Sequence, residues 1–252
     1  MSKRTLIGQS VVTAVLAVYP LFFIVGGIRR LSEGYLPEWP LLLMHFILPP
    51  LLYGLAVWLI WTRWHRMIKL LLGIAWLGLA WLVTVFSCLF LPAVRWEQTT
   101  GETAWKHYES IPCDALSARA EMGEPLTVDH YRYVCEQGIF VTESDILFCR
   151  YDEEQYDEQC RRLSALPYYT EPFSVETESE HISVSPEASV NGYRFRVVED
   201  ESLYFPKRML LVGTNDSTGV ILYIYTCDLD LDYIKSLEDH IGTSGFSRLP
   251  SR

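Results

Sequence analysis

No tryptophan follows residue 105 of this 252-residue chain, and no apolar run of membrane-crossing length follows residue 94. A helix needs roughly 20 apolar residues to cross a bilayer core, so helical spans are confined to the first part. That first part lacks acids. Residues 1–95 hold only Glu33 and Glu38 against eight bases, a net of +6. The remainder is poor in bases instead, with 13 of the chain's 21 bases and 29 of its 31 acids, a net of -16. Such a balance repels nucleic-acid phosphate, which disfavours DNA or RNA as a partner.

Local catalytic signatures are also missing. No H-E-x-x-H, G-x-S-x-G, phosphate-cradling glycine loop or kinase set occurs, and no C-x-x-C spacing supports redox chemistry or a zinc ribbon. No cofactor motif is present. A nucleophile and its base can lie far apart in sequence, so scattered residues such as His107, His130, His181 and His240 keep an enzyme reading open.

Three apolar runs are present: Leu6 to Ile28, Pro40 to Thr62 and Leu70 to Val94. Their flanks carry Trp39, Trp61, Trp64 and Trp96, which suit the headgroup layer because the ring is apolar and its polar edge wants water. Trp58, Trp76 and Trp81 fall inside runs and read as packing residues. Lys3 and Arg4 resemble the start of a signal peptide, but the first run exceeds the roughly 7–15 apolar residues of one and lacks a small-residue cleavage site before Arg29, predicting an uncleaved anchor. Lys3, Arg4, Arg63, Arg66 and Lys69 share one side of a three-span arrangement, and Arg29, Arg30 and Arg95 the other. The positive-inside tendency therefore predicts a cytoplasmic amino terminus and an extracytoplasmic carboxy-terminal domain.

Pro49 and Pro50 interrupt the second run and leave the carbonyls of His45 and Phe46 without helical partners, predicting a kink. His45 is the one ionisable residue well inside a span, and Ser87 and Cys88 of the third run lie at similar depth. This intramembrane polar cluster of His45, Ser87 and Cys88 has ligand types suited to a metal or a proton relay. Two protein ligands fall short of a zinc set, and the structural expectation is a neutral His45 bonded to a serine or a freed carbonyl.

Residues 96–252 predict an acidic α+β soluble domain with a mainly antiparallel sheet. Expected helices cover Cys113 to Met122, a stretch capped by Asp152 and stopped by Pro167, and Leu231 to Ile241 with Gly242 at its end. Short strands are expected at Tyr131 to Cys135, Ile139 to Val141 and Ile146 to Tyr151. A meander follows: Phe173 to Val175, His181 to Ser185, Tyr193 to Val198, Arg208 to Gly213 and Val220 to Cys227. Thr214 to Gly219 has turn chemistry, and Val220 to Tyr225 is apolar on both faces, as a central strand would be. Gly242 to Arg252 reads as a loose tail. The fold expectation is thus a membrane anchor of three transmembrane helices, residues 1–95, followed by this domain.

An external domain permits disulfides, with Cys135 to Cys149 and Cys113 to Cys160 as candidate pairs; buried thiols are the alternative. Asp228, Asp230 and Asp232 alternate like the start of a calcium loop, but Tyr233 stands where that loop needs glycine and Asp239 where it needs a bidentate Glu. The structural expectation is that Asp228 or Asp230 caps the last helix. Together these features point to a noncatalytic accessory, sensing or binding protein whose partners are the lipid bilayer and other membrane or extracytoplasmic proteins. The competing classes are a membrane-anchored hydrolase or metal-dependent enzyme, and a subunit of a larger membrane complex.

Overall fold

The computed structural model describes residues 3–62, 65–90, 92–109, 124–137, 140–176, 181–200, 207–228 and 236–246. The chain divides into two compact units, Met1–Arg95 with Glu136–Ile139, and Trp96–Cys135 with Phe140–Arg252.

The first unit is built from helices that are apolar all round, α1 (Lys3–Leu16), α2 (Val18–Ser32), α3 (Trp39–Leu42), a π turn (Leu43–Ile47), α4 (Leu48–Trp61) and α5 (Arg66–Phe90). They provide three segments long and apolar enough to cross a membrane, Leu6–Ser32, Trp39–Trp61 and Met67–Phe86. Between α1 and α2 the helix loosens at Ala17, because Pro20 offers no N–H to the carbonyl of Leu16. α4 packs against α1 and α5. Its core is Leu52, Ala56, Leu59, Trp76 and Ala80, and the Trp76 indole N–H donates to the Leu52 carbonyl at 2.8 Å. Among the expected packing tryptophans only Trp76 is buried. Trp58 and Trp81 instead face outward with Phe22, Val25 and Leu71. A water-soluble bundle would not present so continuous an apolar exterior, whereas hydrocarbon is its natural solvent.

The third helix ends at Phe90 rather than running on to Val94. Pro92 cannot continue a helix, and the chain turns into β1 (Ala93–Thr100). In the first unit Leu36 N–H donates to the Val94 carbonyl at 2.7 Å, and Tyr35 bridges to Arg95.

The second unit is α+β. Its sheet runs β1-β2-β3-β9-β8-β7-β6, with β2 Thr127–Gln137, β3 Phe140–Arg150, β6 Glu187–Val190, β7 Tyr193–Val197, β8 Arg208–Asn215 and β9 Val220–Asp228. Pairing from β6 through β9 to β3 is antiparallel. β9 lies between β3 and β8 and is buried on both faces, as its unbroken apolar run requires. The β8–β9 turn follows its sequence: the Asn215 side chain accepts from Ser217 N–H at 3.1 Å, and Gly219 takes φ +64°. A second tight turn, Asn191-Gly192, has both residues at positive φ and joins β6 to β7. β4 (Phe173–Glu176) and β5 (His181–Val184) leave the expected meander and form a hairpin of their own.

One face of the sheet carries α6 (Gly101–Glu109) and α7 (Glu153–Leu163), which bury Ala104, Tyr156 and Leu163 against Leu147, Ile221 and Tyr223. Asp152 caps α7, its Oδ1 accepting from Gln155 N–H at 2.8 Å. The other face carries α8 (Leu237–Thr243), whose Leu237 and Ile241 pack on Ile146, Leu211 and Ile224.

Several elements differ from expectation. β3 is one strand of 11 residues where two short strands were expected, because three polar residues in its middle, Thr142, Glu143 and Asp145, have partners on neighbouring strands. Ser236 caps α8 through its Oγ, which accepts from Asp239 N–H at 3.1 Å; Asp228 is the last residue of β9, and Asp230 and Asp232 lie outside the described residues. The tail is not loose through residue 246. Gly245 takes φ +85° and turns the chain so that Phe246 packs edge-on against Tyr193 and Phe195. The helix expected at Cys113 to Met122 lies outside the described residues.

Candidate functional site

Polar chemistry is concentrated at the π turn, at the connection between the first two spans, and at two buried clusters in the sheet. At the π turn the two prolines cannot donate to the carbonyls of His45 and Phe46. The helix answers by widening one turn, and Leu48 N–H reaches back to the Leu43 carbonyl. His45 Nδ1 lies 3.1 Å from the Leu41 carbonyl, one turn earlier on its own helix. Its ring packs beside Phe23, and α2 approaches closely enough that a Cβ on Gly27 would meet His45 Cβ at 2.6 Å. Ser87 and Cys88 belong to the last turns of α5, and their side chains lie outside the described residues.

The connection between the first two spans holds Tyr35, with the Arg30 and Arg95 guanidinium carbons 5.6 and 5.8 Å from its ring centre. Its hydroxyl donates to Glu136, which belongs to the same unit. Burial first, and the bond to the Glu136 carboxylate second, push the Tyr35 phenol up to about 12.

In the sheet, His130 Nε2 lies 2.8 Å from Asp145 Oδ1 and Nδ1 lies 3.4 Å from Thr99 Oγ1. Both members of the pair are buried, and the exposed His107 ring of α6 stacks parallel on His130 at 5.8 Å. The sequence shows His130 but not its partner. The available signal was a charged residue, Asp145, set between the Ser144 and Ile146 of a strand.

The opposite face holds the second cluster. Thr226 Oγ1 lies 3.0 Å from His240 Nε2, and Thr142 donates to Asp228 Oδ2 at 2.9 Å. Ser144, directly across from Thr226, is fully buried and its Oγ has no hydrogen-bond partner among the described residues. Burial lowers the His240 imidazole to about 4 despite the opposing pull of the Asp228 carboxylate. Asp228 thus takes part in a pair between strands. Among the described residues no group of three or more His, Cys, Asp or Glu is arranged to hold a metal ion.

Cys135, Cys149, Cys160 and Cys227 are thiols, so neither expected bridge is present among the described residues; Cys113 lies outside them. The strand ends explain the first case. β2 ends two residues after Cys135, whereas Cys149 comes nine residues after the start of β3, which at about 3.3 Å per residue puts them roughly 20 Å apart along the hairpin. Burial pushes the Cys149 thiol up, away from the reactive thiolate.

No protein-family model, curated protein or solved structure matches this chain. The fold and these clusters define its class by themselves: three apolar helices suited to a membrane, joined to an α+β domain on a seven-stranded sheet.

Proposed function

We propose that this is a multi-pass membrane protein of noncatalytic role, an accessory, sensing or binding protein that presents its α+β domain on the extracytoplasmic side. The observation that carries the reading is how the domain spends its buried polar groups. His130 is bonded to Asp145 and His240 to Thr226 beneath the surface, and the half-buried Asp228 accepts from Thr142, so these three titratable groups hold strands or helices together. A catalytic base needs reach to a substrate proton, and these side chains are committed to one another. The excess of bases beside the amino terminus and the second connection supports the outward assignment. The partners proposed are the bilayer and other membrane or extracytoplasmic proteins.

Single-cysteine variants keeping Cys227, treated with an impermeant thiol reagent, test the sidedness. Labelling of intact cells is expected, and protection that ends only on lysis would overturn it. Thermal unfolding of the full-length protein with divalent cations tests the noncatalytic part. No cation-dependent stabilisation is expected, whereas one that disappears in Asp228→Ala would transfer weight to a metal-dependent activity.

A further inference from the structure

α4 separates α1 from α5, and toward the end of α4 the three helices leave a cavity of about 530 Å³. Its wall is apolar, with Val12, Leu16, Ala56, Leu59, Trp76 and Leu77. Two glycines, Gly8 and Gly73, keep it open; a Cβ built on either meets nothing within 4 Å. Polar groups gather at one place on the rim. The Ile60 carbonyl accepts from both Gln9 Nε2 at 2.7 Å and Lys69 Nζ at 3.0 Å. Lys69 keeps two further N–H donors, since an ammonium has three and one is used. Gln9 Oε1 is shielded from solvent and accepts no hydrogen bond from the described residues.

We infer that this cavity is a binding site for an anionic phospholipid. The acyl chain lies along the apolar wall and the Lys69 ammonium meets the phosphate. Three features argue for this occupant. The wall offers a hydrocarbon chain a matching surface, Lys69 sets a cation with spare donors at the rim, and the starts of α1 and α5 carry Lys3, Arg4 and Arg66 in the sequence. A zwitterionic choline headgroup brings a cation toward Lys69.

The inference rests on the membrane reading of the three helices, which membrane fractionation checks separately and which the variants below do not disturb. Full-length protein in neutral micelles is titrated with phosphatidylglycerol, with phosphatidylcholine of the same chains, and with inorganic phosphate, while thermal unfolding is followed. Phosphatidylglycerol is expected to raise the midpoint by about 3 °C or more beyond phosphatidylcholine, with inorganic phosphate inert. Lys69→Gln should abolish that difference and Lys69→Arg preserve it. Gly73→Leu, which fills the cavity without meeting a neighbour at its Cβ, should reduce it independently. Equal responses to the two lipids, an undiminished response in both Lys69→Gln and Gly73→Leu, or a full response to inorganic phosphate would each overturn the site.

Discussion

His130 and Asp145 hold each other at 2.8 Å beneath α6, and this pair lets β3 run unbroken through a polar stretch. The imidazole bridges three chain segments, because its other nitrogen faces Thr99 near the end of β1. Removing the acceptor leaves a buried ring nitrogen unsatisfied. Asp145→Ala should therefore destabilise the domain by about 2–4 kcal/mol, and Asp145→Asn, which keeps an acceptor oxygen, by less. Denaturant unfolding followed by near-UV circular dichroism measures both.

His240 makes stability depend on pH. Its folded-state pKa is lowered to about 4 from 6.5, so the unfolded chain binds the proton more readily. The associated stabilisation is complete above pH 6.5 and is lost as pH falls from there toward 4. Between pH 7 and 5 the wild type should lose on the order of 2 kcal/mol from this group. In His240→Gln that part of the acid limb should flatten. Melting curves at half-unit pH steps decide it.

Close approach of α2 to the π turn depends on Gly27. A Cβ there would meet His45 and the Phe46 ring at 2.6 to 2.9 Å, so Gly27→Val must push two helices apart. Overpacking of this kind costs about 1–3 kcal/mol. Gly54→Val, at a position where a Cβ meets nothing within 4 Å, should cost far less. Thermal aggregation of the two variants in micelles gives the comparison.

The cysteines should separate by burial. Cys149 is fully buried and its thiol is held in the protonated form, whereas Cys227 is partly exposed. A maleimide should modify Cys227 in native protein and Cys149 only on unfolding, with rates differing by roughly a hundredfold or more. Mass spectrometry of reagent time courses distinguishes them, and comparable native rates would contradict the packing around β3.

Local signals were strong in particular places. Asp152 followed by acids declared the α7 cap, Asn215 to Gly219 declared a turn, and Val220 to Tyr225 declared a strand buried on both faces. Elsewhere a local signal misled. Asp228 and Asp230 look like caps for a helix beginning at Leu231, yet Ser236 caps α8, because any Ser, Asp or Asn can cap and only packing of Leu237 and Ile241 selects the start. Asn191-Gly192 carried a hairpin signal that the meander reading passed over.

The candidate site divides in the same way. The spacing of Pro49 and Pro50 already stated which carbonyls lose their partners, but a kink and a π turn answer that loss equally well, and the close fit of Gly27 against His45 and Phe46 belongs to the folded bundle. Likewise, the sequence by itself determined the three apolar spans, because a bilayer imposes a length and a polarity on every residue in it. Only the tertiary structure decided which polar residues meet. His130 and Asp145 are separated by 15 positions, Thr142 and Asp228 by 86, and Gln9 and Ile60 by 51. Such pairings follow from strand register and helix contact, and both are set by burial summed over the whole core.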